Sequence, residues 1–289
     1  MKFLKSLLLF CAAVFLSYLF VRCLLWQLPG TLADVLSDSE TNLKDLELLR
    51  QEFQVSESFW KPLWNFLTLN WGVSQLFREE NFPLIMNHFY LTLRLSLLSL
   101  LLTFVFSGCF FLFNQKFSER LSNLLLALPA IAIYPLVVFF LCDWTSYCPA
   151  GSSALFKAIF LAALAQGLLA SPRFYRELEW ELDEIRRQRF VLVLRAKGVR
   201  PSKIWSVHIL KNAIAPFLSL MLLTILSFFA GAVLLEALFD LPGMGLLLLE
   251  AIRARDFTLI FPLVMFLSLL HLSTLQAGRF LKIGRAHAL

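Results

Sequence analysis

Six apolar stretches alternate with polar segments along this chain, and most are long enough to cross a bilayer. An α-helix rises about 1.5 Å per residue, so about 20 apolar residues span the hydrocarbon core. We predict membrane-spanning helices over 6–26, 89–113, 121–142, 154–171, 213–235 and 257–281. The pattern therefore predicts an all-α, polytopic membrane protein with six transmembrane helices.

The first apolar stretch begins like a secretory signal peptide, after a short basic start. The apolar core of a signal peptide runs for roughly 7 to 15 residues and ends at small residues. This stretch continues to Trp26, a residue type that is frequent at the membrane interface. We interpret residues 1–26 as a retained first transmembrane helix with a cytoplasmic N-terminus.

The polar segments divide the rest of the chain. Residues 27–88 are the one long polar region, and we predict an external, partly helical region there because Leu43, Leu46, Leu49 and Phe53 recur at helical spacing. Residues 89–281 hold five helices and the cytoplasmic segment 172–212. A cytoplasmic tail follows over 282–289.

The composition excludes a soluble globular domain. The 289 residues are 59% hydrophobic and only 16% charged, whereas soluble domains have about 25% charged residues. The net charge of +6 could suggest nucleic-acid binding. Basic residues of membrane proteins collect in cytoplasmic segments, however, and that rule explains the charge without a nucleic-acid partner.

The same rule sets the orientation. With the N-terminus inside, the cytoplasmic segments carry 17 Lys and Arg and the external segments carry 6. Most of the difference comes from 172–212. The count predicts that both termini lie in the cytoplasm.

Few residues have the spacing of a chemical site. The five cysteines form no CxxC or Cys/His pattern, so no metal site is predicted. Cys142 and Cys148 flank a five-residue external loop, where a disulfide and two free thiols are both possible. His271 is an ionisable residue within the sixth span, with either a transport role or a packing role.

The basic, amphipathic segment from Arg189 to Pro216 lies between strongly apolar stretches. Gly198 is placed to end one helix, and Pro201 followed by Ser202 is placed to begin another. The sequence predicts a helix, a sharp turn and a second helix in water, against the membrane. If the backbone of Gly198 adopts positive φ, a β-branched side chain at this position would be strained.

This segment resembles the EAA loop of membrane permease subunits of ABC importers. The resemblance rests on Arg195, Ala196, Lys197 and Gly198, followed by Lys211, Asn212 and Pro216. It is closest to the dipeptide, oligopeptide and nickel branch, although only Ala196 remains of the EAA triplet and residues 176–189 are more charged than in the family. In the family this loop docks into a cytoplasmic ATPase subunit. An ordinary basic loop is the alternative.

A second stretch, from Glu236 to Asp256, resembles the ETVFxxPGLGxLLxxAxxxRD motif of the same family. The matching residues are Glu236, Phe239, Pro242, Gly243, Gly245, Arg255 and Asp256. We predict an external turn in which the glycines let the backbone reverse tightly, followed by a short amphipathic helix. Residues 70–74 resemble the short GDLGxS stretch of the family more weakly.

Other function classes fit less well. The chain contains no G-x-x-x-x-G-K-[ST], so we expect no ATP hydrolysis by this chain. A membrane-embedded enzyme would need paired Asp, Ser with His, or HExxH, and a secondary transporter would show an inverted repeat and more polar residues in its spans.

The resemblance implies a type I ABC importer permease in the bacterial inner membrane, forming half of a translocation pathway for dipeptides or oligopeptides. A permease for nickel or another small solute is the alternative. The implied partners are a homologous second permease, two cytoplasmic ATPase subunits that hold ATP and Mg²⁺, an extracytoplasmic substrate-binding protein and the lipid bilayer. No cofactor is expected on this chain.

Overall fold

The computed structural model describes residues 2–27, 60–113, 115–127, 133–137, 139–140 and 155–286. Regular structure in these ranges is helical, apart from one isolated antiparallel bridge between Val73 and Glu80. The prediction of an all-α protein is confirmed.

The main helices within the described ranges are numbered here in chain order. They are α1 Lys2–Gln27, α2 Lys61–Leu67, α3 Asn81–Leu112, α4 Gln115–Ala127, α5 Leu155–Arg186, α6 Arg189–Ala196, α7 Pro201–Phe239, α8 Met244–Ala254 and α9 Phe257–Ala286. Helix α7 contains a π-helical segment over Ile204–Ile209.

Within the described residues, four helices are long and apolar enough to cross a membrane: α3, α5, α7 and α9. They coincide with the predicted second, fourth, fifth and sixth spans. Helix α1 has a shorter apolar stretch, Leu8–Cys23. The predicted third span, 121–142, is described only in part, so the count of six spans stays a prediction.

Two helices extend well past the predicted ends of their spans. Helix α5 continues through Pro172 to Arg186, although the fourth span was predicted to end at Ser171. Helix α7 begins at Pro201, before the predicted fifth span, and runs to Phe239 without interruption. The segment 172–212, which was predicted to be cytoplasmic, is therefore built largely from continuations of α5 and α7.

Residues Met1–Leu93 and Pro242–Ser273 form one compact unit, called here the first unit. Its aromatic core surrounds Trp71, whose ring stacks on Phe66 at a centroid distance of 5.2 Å. Phe82 contacts the same indole edge-on at 5.1 Å, and Phe266 lies 5.9 Å away. The indole Nε1 donates to the carbonyl of Phe66, so the buried polar atom of Trp71 is satisfied.

Residues Arg94–Leu241 and Thr274–Leu289 form the second unit. Tyr175 of α5 packs between Phe110 and Phe111 of α3, with centroid distances of 5.3 and 4.8 Å. Phe217 of α7 contacts Phe104 and Phe174. Aromatic contacts thus join α3, α5 and α7 within this unit.

Candidate functional site

Helix α6 ends in a Schellman motif, the hydrogen-bond pattern that closes many helices at a left-handed residue. The amide of Gly198 donates to the carbonyl of Arg195 at 3.0 Å, and the amide of Val199 donates to the carbonyl of Leu194 at 3.1 Å. Gly198 has φ +74°, a conformation that costs glycine little. A β-branched side chain would therefore be strained at this position, and the predicted helix, turn and helix arrangement around Gly198 is confirmed.

An apolar core fastens this turn to the two long helices. Its buried members are Leu182 and Ile185 of α5, Val191 of α6, and Ile204, Ile209 and Ala213 of α7. Leu194 and Val199 pack against it from the Schellman motif, supplying the apolar contact that often accompanies that motif. Because one core is shared by three helices, α6 cannot shift without affecting α5 and α7.

The opposite face of α6 is open. Arg195, Ala196 and Lys197 are exposed, and the apolar side chains of Leu192 and Val193 are 61% and 51% exposed. Exposed apolar residues beside positive charges are typical of a surface that binds another protein. This face, residues 192–193 and 195–198, is called the coupling face below.

The remaining predicted coupling residues lie on α7. Lys211 is exposed, and half-buried Asn212 donates from Nδ2 to the carbonyl of His208 at 2.9 Å. Pro216 is buried inside α7. The structure thus places Arg195, Ala196, Lys197 and Gly198 together at the exposed end of α6, whereas Lys211, Asn212 and Pro216 belong to α7.

A cation–π contact also joins the start of α7 to the end of α5. The guanidinium carbon of Arg186 lies 5.3 Å from the ring centroid of Trp205, within the range of a cation–π interaction. Trp205 belongs to the π-helical segment, a feature that often marks functional sites. The end of α5 and the beginning of α7 are thereby joined on the exposed side as well as through the core.

The Glu236–Asp256 motif contains a buried carboxylate in the first unit. Asp256 is fully buried just before α9. Its Oδ2 accepts hydrogen bonds from Ser74 Oγ at 2.6 Å and the amide of Leu76 at 3.0 Å. Its Oδ1 accepts from Thr258 Oγ1 at 2.6 Å and the amide of Leu259 at 3.1 Å. Asp256 therefore caps α9 and ties it to residues 74–76.

A buried asparagine reinforces this connection. Asn81 Nδ2 donates to the carbonyls of Trp71 and Thr258, at 2.8 and 2.9 Å. Sequence reasoning did not predict that Asn81 is buried, although an Asn directly before a long apolar run is a recognisable helix-start residue. It also gave residues 70–74 little weight, yet Ser74 is a direct partner of Asp256.

The glycines of the Glu236–Asp256 motif have no left-handed conformation. Gly243 is extended, with φ −102° and ψ 178°, and Gly245 lies inside α8. The left-handed residues are Asp240 and Arg255, at φ 50° and 55°, which end α7 and α8. The glycines therefore do not supply a left-handed conformation, which occurs instead at the C-terminal ends of α7 and α8. The predicted short amphipathic helix is α8.

The other residues of this motif have different environments. Glu236 and Phe239 are buried near the end of α7, in the second unit, and the carbonyl of Glu236 accepts from the amide of Leu241 at 2.9 Å. Pro242, in the first unit, is exposed, while Gly243 and Gly245 are buried.

A polar contact that sequence reasoning missed joins three helices of the second unit. Gln166 of α5 is fully buried within a membrane-spanning helix. Its Oε1 accepts from Ser99 Oγ of α3 at 2.8 Å, and its Nε2 donates to the carbonyl of Phe228 of α7 at 3.0 Å. Gly231 faces the same amide, since a Cβ there would lie 3.1 Å from Gln166 Nε2. Buried amides of this kind join helices in membranes.

Two further expectations concern residues away from these sites. His271 is exposed on α9, so it is not a packing residue inside the chain, and a transport role stays a prediction. Cys142 and Cys148 lie outside the described residues, as do residues 28–59 of the region that was predicted to be external.

Comparison with known proteins agrees with the resemblance seen at Arg195–Gly198 and Glu236–Asp256. Three similar relatives are the proteins named glutathione transport system permease protein GsiC in Shigella boydii serotype 4, Escherichia coli strain K12 and Shigella dysenteriae serotype 1. Each is 22% identical over 268 residues, which cover 89% of this chain and 88% of the relative. Residues 110–281, well over half of the chain, match the family described as binding-protein-dependent transport system inner membrane component. The chain therefore belongs to this family of inner membrane transport components.

Proposed function

We propose that this chain is the permease subunit of an ATP-driven ABC importer for short peptides, and that it forms half of the translocation pathway. The family supports a role in transport across the inner membrane. The relatives named for glutathione transport support a peptide-like substrate, because glutathione is a tripeptide. Nickel or another small solute is the alternative substrate.

The observation that carries the mechanism is the apolar core shared by α5, α6 and α7. A partner that moves α6 through the coupling face would also move α5 and α7, because a close-packed core transmits displacement. Both helices continue into the membrane. The two-state movement that opens a pathway alternately to each side would then follow from rigid-body motion of these helices.

The partners of this proposal are a homologous second permease, two cytoplasmic ATPase subunits and an extracytoplasmic substrate-binding protein. ATP and Mg²⁺ would be held by the ATPase subunits. The positive-inside count favours a multi-pass chain with both termini and the coupling face in the cytoplasm. The buried network of Asp256 would lie on the outer side, as a rigid support beneath the surface that the binding protein meets.

The test is uptake by the assembled complex reconstituted in liposomes, with the binding protein outside and ATP inside. Labelled glutathione, trialanine and Ni²⁺ are compared. We expect uptake of at least one peptide that requires ATP. Uptake of Ni²⁺ alone would support the alternative substrate, and peptide uptake driven by an ion gradient without ATP would contradict the ABC mechanism.

A further inference from the structure

A groove in the second unit lies between α4, α5 and α7 and has a volume of about 470 Å³. Small-molecule sites typically measure roughly 300 to 1,000 Å³, so the groove can hold part of a ligand of that size. It is called the boundary groove below. One of its walls is charged and the other is apolar.

The charged wall is a single face of α5. Its residues are Arg173, Arg176, Glu177, Trp180 and Glu181, at the i, i+3, i+4, i+7 and i+8 positions of one helical stripe. The stripe begins directly after Ser171, where the predicted fourth span ends. Arg and Trp are the residue types that anchor at a membrane–water interface.

The apolar wall comes from the neighbouring helices. Leu126 of α4 and Pro216, Leu220 and Leu223 of α7 face the groove. The three α7 residues belong to the predicted fifth span, so this wall continues into the hydrocarbon layer. A ligand in the boundary groove would therefore contact charged side chains on one side and apolar side chains on the other.

The arginines keep donors available for a ligand. Arg173 Nε pairs with Glu177 at 2.8 Å, with the two side chains 69% and 42% exposed, and an exposed pair of this kind is weak. Arg176 donates from Nη1 to Asn123 Oδ1. A guanidinium has five N–H donors in a fork that suits phosphate oxygens, and each of these bonds uses one donor.

We infer that the boundary groove binds one zwitterionic phospholipid of the inner leaflet, of the phosphatidylethanolamine class. The phosphate contacts Arg173 and Arg176, the primary ammonium contacts Glu177 and Glu181, and an acyl chain lies along the apolar wall. Two arginines and two glutamates balance in charge, so they favour a zwitterion over an anionic lipid of net negative charge. This inference goes beyond the proposed transport function and does not depend on the substrate.

The first experiment measures lipid retention by native mass spectrometry of the assembled complex after exchange into defined lipids. We expect the double variant R173Q/R176Q to bind phosphatidylethanolamine about fivefold more weakly than the wild type. The matched control is R120Q/R187Q, which removes two exposed arginines outside the groove. Equal phosphatidylethanolamine binding by R173Q/R176Q and the wild type would overturn the inference.

Comparing phosphatidylethanolamine with phosphatidylcholine tests the role of the glutamates alone. The two lipids carry the same phosphate, but the trimethylated headgroup of phosphatidylcholine has no N–H donor for a carboxylate. The wild type should prefer phosphatidylethanolamine to phosphatidylcholine, and the double variant E177Q/E181Q should lose most of that preference. An unchanged preference in E177Q/E181Q would show that the ammonium does not lie against these carboxylates.

The second experiment identifies the occupant directly. Trp180, an exposed residue of the charged wall, is replaced with photoreactive p-benzoylphenylalanine, and the complex is irradiated in its native membrane. A phospholipid adduct supports the inference. An adduct to the second permease or to a transported peptide overturns it, and uptake measured on the same membranes shows separately whether the transport function holds.

Discussion

Replacing Gly167 with alanine tests how closely α3 and α5 pack in the second unit. A Cβ at this position would lie 2.8 Å from the Cβ of Leu102 and 3.1 Å from both the carbonyl oxygen of Ser99 and the amide nitrogen of Thr103. Carbon atoms pack at about 3.5 to 4.0 Å, so the helices would have to separate by about 0.7 Å. Two of the three contacts are to backbone atoms, and no side-chain rotation relieves them.

The separation would also weaken the hydrogen bonds between these helices. Ser99 Oγ lies 2.8 Å from Gln166 Oε1, and Thr103 Oγ1 lies 3.4 Å from the carbonyl of Gly167, already near the upper limit for a hydrogen bond. Overpacking a close-packed site costs about 1 to 3 kcal/mol. We expect Gly167→Ala to lower the free energy of unfolding of the complex by about that amount.

The assay is thermal unfolding of the purified complex, followed by size-exclusion chromatography of the soluble fraction. Gly108→Ala on α3 is the matched control, because a Cβ at that position would meet no atom within 4 Å beyond its chain neighbours and the nearby backbone of its own helix. Alanine is favoured over glycine in a helix by up to about 1 kcal/mol, so the control should be unchanged or slightly stabilised. If Gly167→Ala proved as stable as Gly108→Ala, the close packing of α3 against α5 would be refuted.

Two further predictions concern the first unit and the topology. Asp256→Asn should lower the free energy of unfolding by about 2 to 3 kcal/mol in the same assay, because an amide nitrogen cannot accept the hydrogen bonds that the buried carboxylate receives. Asp240→Asn, at a left-handed position that Asn tolerates, should leave stability unchanged, and equal stability of the two variants would contradict the role of Asp256. A reporter fused after Lys61 should report the external side, and one fused after Arg187 the cytoplasm. A cytoplasmic signal at Lys61 would contradict the orientation.

The features that the sequence predicted well are local. Gly198 ends α6 because the Schellman motif needs only a left-handed residue and an apolar contact within a few positions. The length of each apolar stretch in the sequence was enough to predict the approximate positions of α3, α5, α7 and α9. The length of an apolar stretch reflects the thickness of the bilayer, and it does not show where the helix itself ends. The predicted span therefore missed the continuation of α5 to Arg186.

The contacts that the sequence did not predict connect distant residues. Ser74 and Asp256 are separated by 182 positions, and nothing in either segment specifies the other. Gln166 stands in an apolar stretch where a single amide has no local partner, and its partners Ser99 and Phe228 lie on other helices. The sequence also misled us about Gly243 and Gly245. Asp240 and Arg255 adopt the left-handed conformation that glycine usually supplies, and neither residue type indicates this in a sequence.

The central claim is that the turn at Gly198 transmits the movement of an ATPase to the membrane helices. Gly198→Val should strain the backbone at φ +74° by about 1 to 3 kcal/mol, while no neighbouring atom lies within 4 Å of the new Cβ. Gly198→Asn is the matched control, because Asn tolerates this conformation.

The most direct measurement compares ATP-driven uptake and ATP hydrolysis in liposomes that hold equal amounts of the assembled wild-type, Gly198→Val or Gly198→Asn complex. We expect uptake and hydrolysis to fall together in Gly198→Val, with assembly of the permease pair unchanged and Gly198→Asn close to the wild type. Full uptake by Gly198→Val would contradict the assignment of coupling to this turn.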